Sequence, residues 1–112
     1  MTTIFTKIIQ REIPAKIAYE TDRVIAIWDI SPQAPVHILI IPKKPIAKFH
    51  DLEEDDASLL QEMFQVAKIV ADQEKVAKGY RLVINNGKEG GQEVFHLHIH
   101  LLGGRQLSGK LG

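Results

Sequence analysis

The spacing of apolar residues changes along this chain. Near the start, Ile4, Phe5, Ile8 and Ile9 recur at helical spacing, which predicts a short amphipathic helix in TTIFTKIIQREIP. Thr2 or Thr3 can cap it, and Pro14 blocks its continuation. KIAYET and RVIAIWDI then read as two strands joined by a turn near Thr21-Asp22-Arg23. SPQAP reads as a loop, because Pro32 and Pro35 lack amide donors and restrict the residues before them. VHILIIP is a third strand ended by Pro42, and KKPIAKFHDL is irregular.

The helical period returns at length in DLEEDDASLLQEMFQVAKIVADQEKVAKG. Asp51 and Glu54 have capping-box spacing. Acidic residues crowd the first turns and lysines the end, as the helix dipole favours. Leu59, Leu60, Met63, Val66, Ala67 and Val70 form one apolar stripe, and Gly79 can end the helix. YRLVINN is a fourth strand, GKEGGQE a glycine-rich loop and VFHLHIHLLGG a fifth strand.

These elements predict an α+β domain spanning residues 1–112, with five mostly antiparallel strands, one long helix and one short helix. Its tail, 103–112, has little to pack. One long helix covers one face of such a sheet. The strands are nearly continuously apolar, so a second copy of the chain is the economical cover for the remainder.

Composition narrows the function. A chain of 112 residues, 45% hydrophobic and 25% charged, can bury a core without cross-links. The absence of cysteine excludes disulfides and cysteine-ligated metals. Fourteen basic residues balance fourteen acidic ones, so charge gives no reason to expect nucleic-acid or membrane partners. MTTIFTKIIQREIPAK does not read as a secretory signal, and no apolar run approaches the ~20 residues that span a bilayer. The expected location is cytoplasmic.

The chemistry concentrates in HLHIHLL, which holds three of the five histidines. A strand sends alternate side chains to opposite faces. His96, His98 and His100 then share one face, and Leu97, Ile99 and Leu101 share the other, against the long helix. On this reading the aliphatics make core and the histidines make a surface. His96 and His100 lie ~13 Å apart along a strand, whereas Zn–N bonds are only ~2.0–2.1 Å. One ion on all three rings would demand a sharp bend. Two rings plus His37, His50, Asp29 or Glu93 remain a zinc alternative, but no metal or other cofactor is expected to be needed. Adjacent imidazoles suit catalysis better. One can be a neutral nucleophile and another an acid, and attack on phosphorus gives a histidine adduct that water can open.

HLHIHLL resembles the histidine-triad motif, in which three histidines alternate with hydrophobic residues. IFTKIIQREIPAKI, DISPQAPVHILIIPKK, KGYRLVINNG and GGQEVFHLHIHLLGGR are similar to successive segments of the Hint branch of histidine-triad (HIT) nucleotide-binding proteins. The resemblance runs from Ile4 to Gln106. It implies a HIT fold and a homodimer sharing one ten-stranded sheet. It also implies metal-free hydrolysis of purine nucleoside 5′-phosphoramidates, such as AMP-lysine, releasing AMP or GMP and an amine. A nucleotide-binding regulatory or scaffold protein with incidental turnover is the alternative.

Residue by residue, the resemblance makes His98 the nucleophile. His100 meets the phosphate and helps protonate the leaving amine, His96 supports the others, and His37 extends the relay. Asp29 matches the acid that holds the ribose. Ile4, Phe5, Ile27 and Ile30 match the apolar slot for the base, with Trp28 beside it where relatives vary. Asn85, Gly91 and Gln92 belong to the phosphate side. Glu93 stands where many members place serine or threonine, which suggests a preference for cationic amines. The tail lacks the tryptophan of some animal members.

Overall fold

The computed structural model describes residues 2–112. Five strands, β1 (Ile17–Glu20), β2 (Val24–Trp28), β3 (Val36–Pro42), β4 (Tyr80–Val83) and β5 (Ile99–Gly103), form one antiparallel sheet in the order β1-β2-β3-β5-β4. Residues distant in sequence therefore meet at its centre, where Leu39 lies opposite His100 and Ile38 opposite Leu101.

Strand alternation sorts side chains onto two faces. On one, Val24, Ala26, Ile38, Ile40, Ile99 and Leu101 pack with Leu59, Met63, Val66, Ala67 and Val70 of the long helix α2 (Ala57–Gln73). Each fully buried Leu, Ile, Val or Met side chain contributes about 1.5–3 kcal/mol of transfer free energy. On the other, Ile25, Ile27, Leu39 and Ile41 pack with Phe5 and Ile8 of the short helix α1 (Ile4–Ile9). Six residues are too few to hold a helix alone. Thr3 and Thr6 close a capping box at its start, and the buried Phe5 and Ile8 fasten it to the sheet.

Element boundaries differ from the sequence reading for physical reasons. β5 begins at Ile99, not Val94, so His96 and His98 precede the ladder. The neighbouring β3 ends at Pro42, which has no N–H to give. Leu97 N–H turns instead to Ile46 O, 2.7 Å away. β4 likewise stops at Val83 rather than Asn86. The long helix is shorter than its polar-apolar pattern. It is preceded by two single 3₁₀ turns, Phe49–Asp51 and Glu54–Asp56. The capping box is Glu53 with Asp56, not Asp51 with Glu54. Asp56 is buried, and Lys44 Nζ pairs with it at 2.6 Å. That pairing holds its carboxyl below the usual aspartate value. Lys75 rather than Gly79 adopts the left-handed conformation beyond the helix, at φ 59°. The tail is tethered at two points: Arg105 Nη2 donates to Gln33 O at 3.1 Å, and Arg81 donates to Ser108 O. Among the described residues no helix is long and apolar enough to cross a membrane.

Candidate active site

The histidines do not form a surface. His96 is fully enclosed (0% exposed), His98 and His37 are buried, and His100 is half-buried. They lie on the α1 side of the sheet. Phe5 meets the His98 ring edge-on at 5.0 Å between centroids, and the His98 and His100 rings are 4.9 Å apart. Burial pushes all four imidazoles below their ordinary pKa. His100 is pushed furthest, to about 4, by burial and then by His98 and His37. Near neutral pH these rings are neutral.

The hydrogen-bond partners assign each ring its tautomer. A backbone N–H can only donate and a carbonyl can only accept. Gln33 N–H donates to His37 Nδ1 at 3.0 Å, so neutral His37 carries its proton on Nε2. That atom lies 3.0 Å from His100 Nδ1, which accepts and leaves the His100 proton on Nε2. His98 Nδ1 donates to His96 O at 2.7 Å, so His98 Nε2 keeps its lone pair. His96 Nε2 donates to Pro42 O at 2.7 Å. Its Nδ1 is, among the described residues, the buried side-chain nitrogen without a partner. The first histidine thus supports the second through its backbone carbonyl rather than its ring.

Beside these rings opens a pocket of about 680 Å³, within the range of small-ligand sites. Ile4, Phe5 and Ile27 form apolar wall, and Asp29, Asn85 and Gly91 border it on the polar side. Ile30 is 93% exposed and forms the rim rather than a buried wall. Trp28 borders the pocket but packs with the α2-side core, and Lys16 Nζ stands 4.7 Å over its ring. Asp29 Oδ1 accepts Ser31 N–H at 2.8 Å, and Oδ2 lies 3.6 Å from His37 Nε2.

The glycine loop forms the pocket's polar border. Gly91 has φ +84°, and a Cβ on Gly90 would meet Asn86 O at 2.4 Å, so glycine is required at both. Asn85 Nδ2 donates to Gly90 O at 2.8 Å. Gln92 departs from the expectation of a ligand contact. Its side chain is buried, accepting Gly87 N–H at 2.8 Å and donating to Ala47 O and Val94 O at 2.8 and 2.9 Å. It braces the loop from behind.

The HIT domain family matches residues 10–107. The chain belongs to the HIT family. It is 56% identical over 106 residues to a HIT-like protein of Synechococcus elongatus, covering 95% of this chain and 93% of that one. A HIT family hydrolase from Legionella pneumophila superposes with a TM-score of 0.96 at 49% identity, covering 99% of this chain and 100% of that one. A histidine triad nucleotide-binding protein from Candida albicans gives a TM-score of 0.82 at 32% identity, covering 99% of this chain and 87% of that one. The chain therefore has the α+β HIT fold and is similar to HIT hydrolases.

Two features of this HIT protein bear on its chemistry. Asp29, His37 and His100 bring ligand-type atoms within 4.8 Å of one another, close enough to hold a metal. The donor set does not fit one while Gln33 N–H occupies His37 Nδ1. Metal on Nε2 would force the ring proton onto Nδ1, against that N–H. Gln33 and Arg105 are the residues the sequence reading missed as part of the site. Gln33 fixes His37 through its amide, and Arg105 holds the Gln33 carbonyl. The arginine of LGGR, just after the triad, was the available signal for the second. Nothing in a side chain could announce the first.

Proposed function

We propose that this HIT protein hydrolyses purine nucleoside 5′-phosphoramidates, releasing a nucleoside monophosphate and an amine. The observation that carries the reading is the tautomer of His98. With Nδ1–H anchored on His96 O, Nε2 is a neutral nucleophile beside the pocket. It forms a bond to the α-phosphorus as the P–N bond breaks, and water then opens the nucleotidyl-His98 adduct. His100 carries its proton on Nε2 and donates it toward phosphate and departing nitrogen. The base lies against Phe5 and Ile27, with Ile4 and Ile30 at the mouth, and the ribose hydroxyls on Asp29. The relatives described as HIT hydrolases and as a nucleotide-binding protein support this reading.

The homodimer is inferred from the edges of the sheet. β1 is blunted by an irregularity between Ile17 and Tyr19, whereas β4 pairs in regular register with β5 and leaves its other edge open. Joining β4 to its copy makes the ten-stranded sheet. Sedimentation of twice the chain mass is the expected result.

The deciding experiment is amine release from adenosine 5′-phosphoramidate by wild type and His98→Ala, with and without EDTA. Turnover that survives EDTA and disappears in the variant is expected. Absent turnover with AMP still bound would favour the regulatory or scaffold reading, and turnover lost with EDTA would favour zinc.

A further inference from the structure

We propose that Asp29 has a second duty besides the ribose: it is the counter-charge that lets the His37–His100 pair take up the proton that leaves with the amine. This rests on the phosphoramidase reading, and it starts from a difficulty in the hydrogen-bond chain. As assigned, the pair holds two protons, one on each Nε2, and is neutral. A departing amine needs a further proton, because a neutral ring that gives up its only N–H becomes an anion.

The pair has few places for an extra proton. His37 Nδ1 is closed by Gln33 N–H. His100 Nδ1 is open only if His37 Nε2–H leaves the 3.0 Å gap between the rings, since two hydrogens cannot share it. Asp29 Oδ2, 3.6 Å from His37 Nε2, is the acceptor beside that gap. Its other oxygen is fixed by Ser31 N–H at 2.8 Å, so the carboxylate is held in place.

The charges around the pair leave this duty to Asp29. The pocket lining holds no lysine or arginine, and its carboxylates are Asp29 and Glu93. His98, on the other side of His100 at 4.9 Å between ring centroids, opposes a positive charge there. Arg105 is engaged on Gln33 O, and Arg81 of the adjacent β4 on Ser108 O. Against burial, Asp29 raises the proton affinity of His37, His98 and His100.

The step then balances. The pair takes one proton from solvent as the anionic phosphate binds, and His37 Nε2–H turns to Asp29. The His98 Nε2–P bond forms and the P–N bond breaks. The His100 Nε2 proton passes to the nitrogen, and the pair is neutral again. Asp29 acts through the histidines here, as a positioning residue.

The test separates the two duties. Asp29→Asn keeps an oxygen for Ser31 N–H but loses the charge. Wild type and variant are compared on adenosine 5′-phosphoramidate and on its 2′,3′-dideoxy counterpart, from pH 6 to 8. The dideoxy substrate removes the ribose contact from both proteins. On it the variant is expected to lose tenfold or more in kcat with little change in KM, by a similar factor across that pH range. Equal kcat for the two proteins on that substrate would overturn the proposal. Independently, imidazole ¹⁵N titration of the unliganded proteins should show His37 and His100 protonating about one unit or more lower in the variant, as loss of an opposite charge at this range requires. An unchanged titration would overturn it as well. If wild type cleaves neither substrate, the phosphoramidase reading falls, and the titration still decides whether Asp29 is the counter-charge.

Discussion

Two faces of the same pair of strands show what alternation can and cannot specify. Ile38, Ile40, Ile99 and Leu101 point to α2 and are closed in by aliphatic neighbours. Their neighbours in sequence, His37, Leu39, His98 and His100, point to the α1 side. The first face needs only matching volume, because apolar groups have no directional requirements. The second face is nearly as buried, yet every ring nitrogen taken from water needs a partner or a use. Gln33 N–H, His96 O and Pro42 O supply partners. Only His96 Nδ1 goes without among the described residues, a deficit on the order of 1–3 kcal/mol. Burial stabilises the fold on one face and keeps the imidazoles neutral on the other.

The comparison breaks most sharply in paired substitutions. On the proposed reaction His98→Ala removes the atom that attacks phosphorus, and phosphoramidate turnover should fall at least about 10³-fold. Its cost in urea unfolding should be confined to the lost His96 O partner and Phe5 contact, on the order of 1–3 kcal/mol. Met63→Ala, on the fully buried stripe of α2, should do the reverse. It should cost about 2–5 kcal/mol in urea unfolding while the folded protein keeps its kcat. A Met63→Ala protein that is stable but inactive would show that the two faces are not separable.

Acid sharpens the same contrast, because only the histidine face titrates near neutrality. His100 is held at about 4 against an ordinary 6.5. As pH falls below 6.5 the unfolded chain binds a proton before the native state does, so stability declines until the native ring protonates near 4. The span corresponds to about 3 kcal/mol for His100 alone, with His37, His96 and His98 adding in the same direction. Urea unfolding at pH 7 and pH 4.5 should show the loss. His100→Gln should flatten that slope but leave the contribution of Met63 unchanged. Equal slopes in both proteins would mean His100 is not held neutral by burial.

Much of this division was legible in the sequence. The two periods, 2 and 3.6, placed all five strands, both helices and the aliphatic partners of the triad. The family motif brought His37, Asp29 and Asn85 to one pocket with His98 and His100. What pattern could not give was depth. Alternation says that His96 and His98 share a face, not that a short helix bearing Phe5 closes over it. Strand ends were misplaced where a missing donor at Pro42 terminated the ladder. The tautomers could not be read at all. They depend on backbone groups such as Gln33 N–H and Pro42 O, which every residue type can carry.

The smallest expected effect belongs to Glu93, exposed at the pocket edge and absent from the ion pairs of the described residues. With Asp29 near His37 and no cationic side chain in the lining, a phosphoramidate meets a wall that is neutral or negative. A substrate whose leaving group bears a second, protonated amine would offset this, and Glu93 at the pocket edge would attract it. An exposed pair of this kind is worth about 0–1 kcal/mol. Glu93→Ser should therefore lower the ratio of kcat/KM for AMP-lysine with its carboxyl amidated, so that the free ammonium is its leaving group's only charge, to that for an uncharged-amine phosphoramidate by a few-fold, more at low salt than at high. The rate on the uncharged substrate should hold or rise, because a hydroxyl can donate to phosphate and an ionised carboxylate cannot. An unchanged ratio would assign amine preference to the tail or to the apolar rim instead.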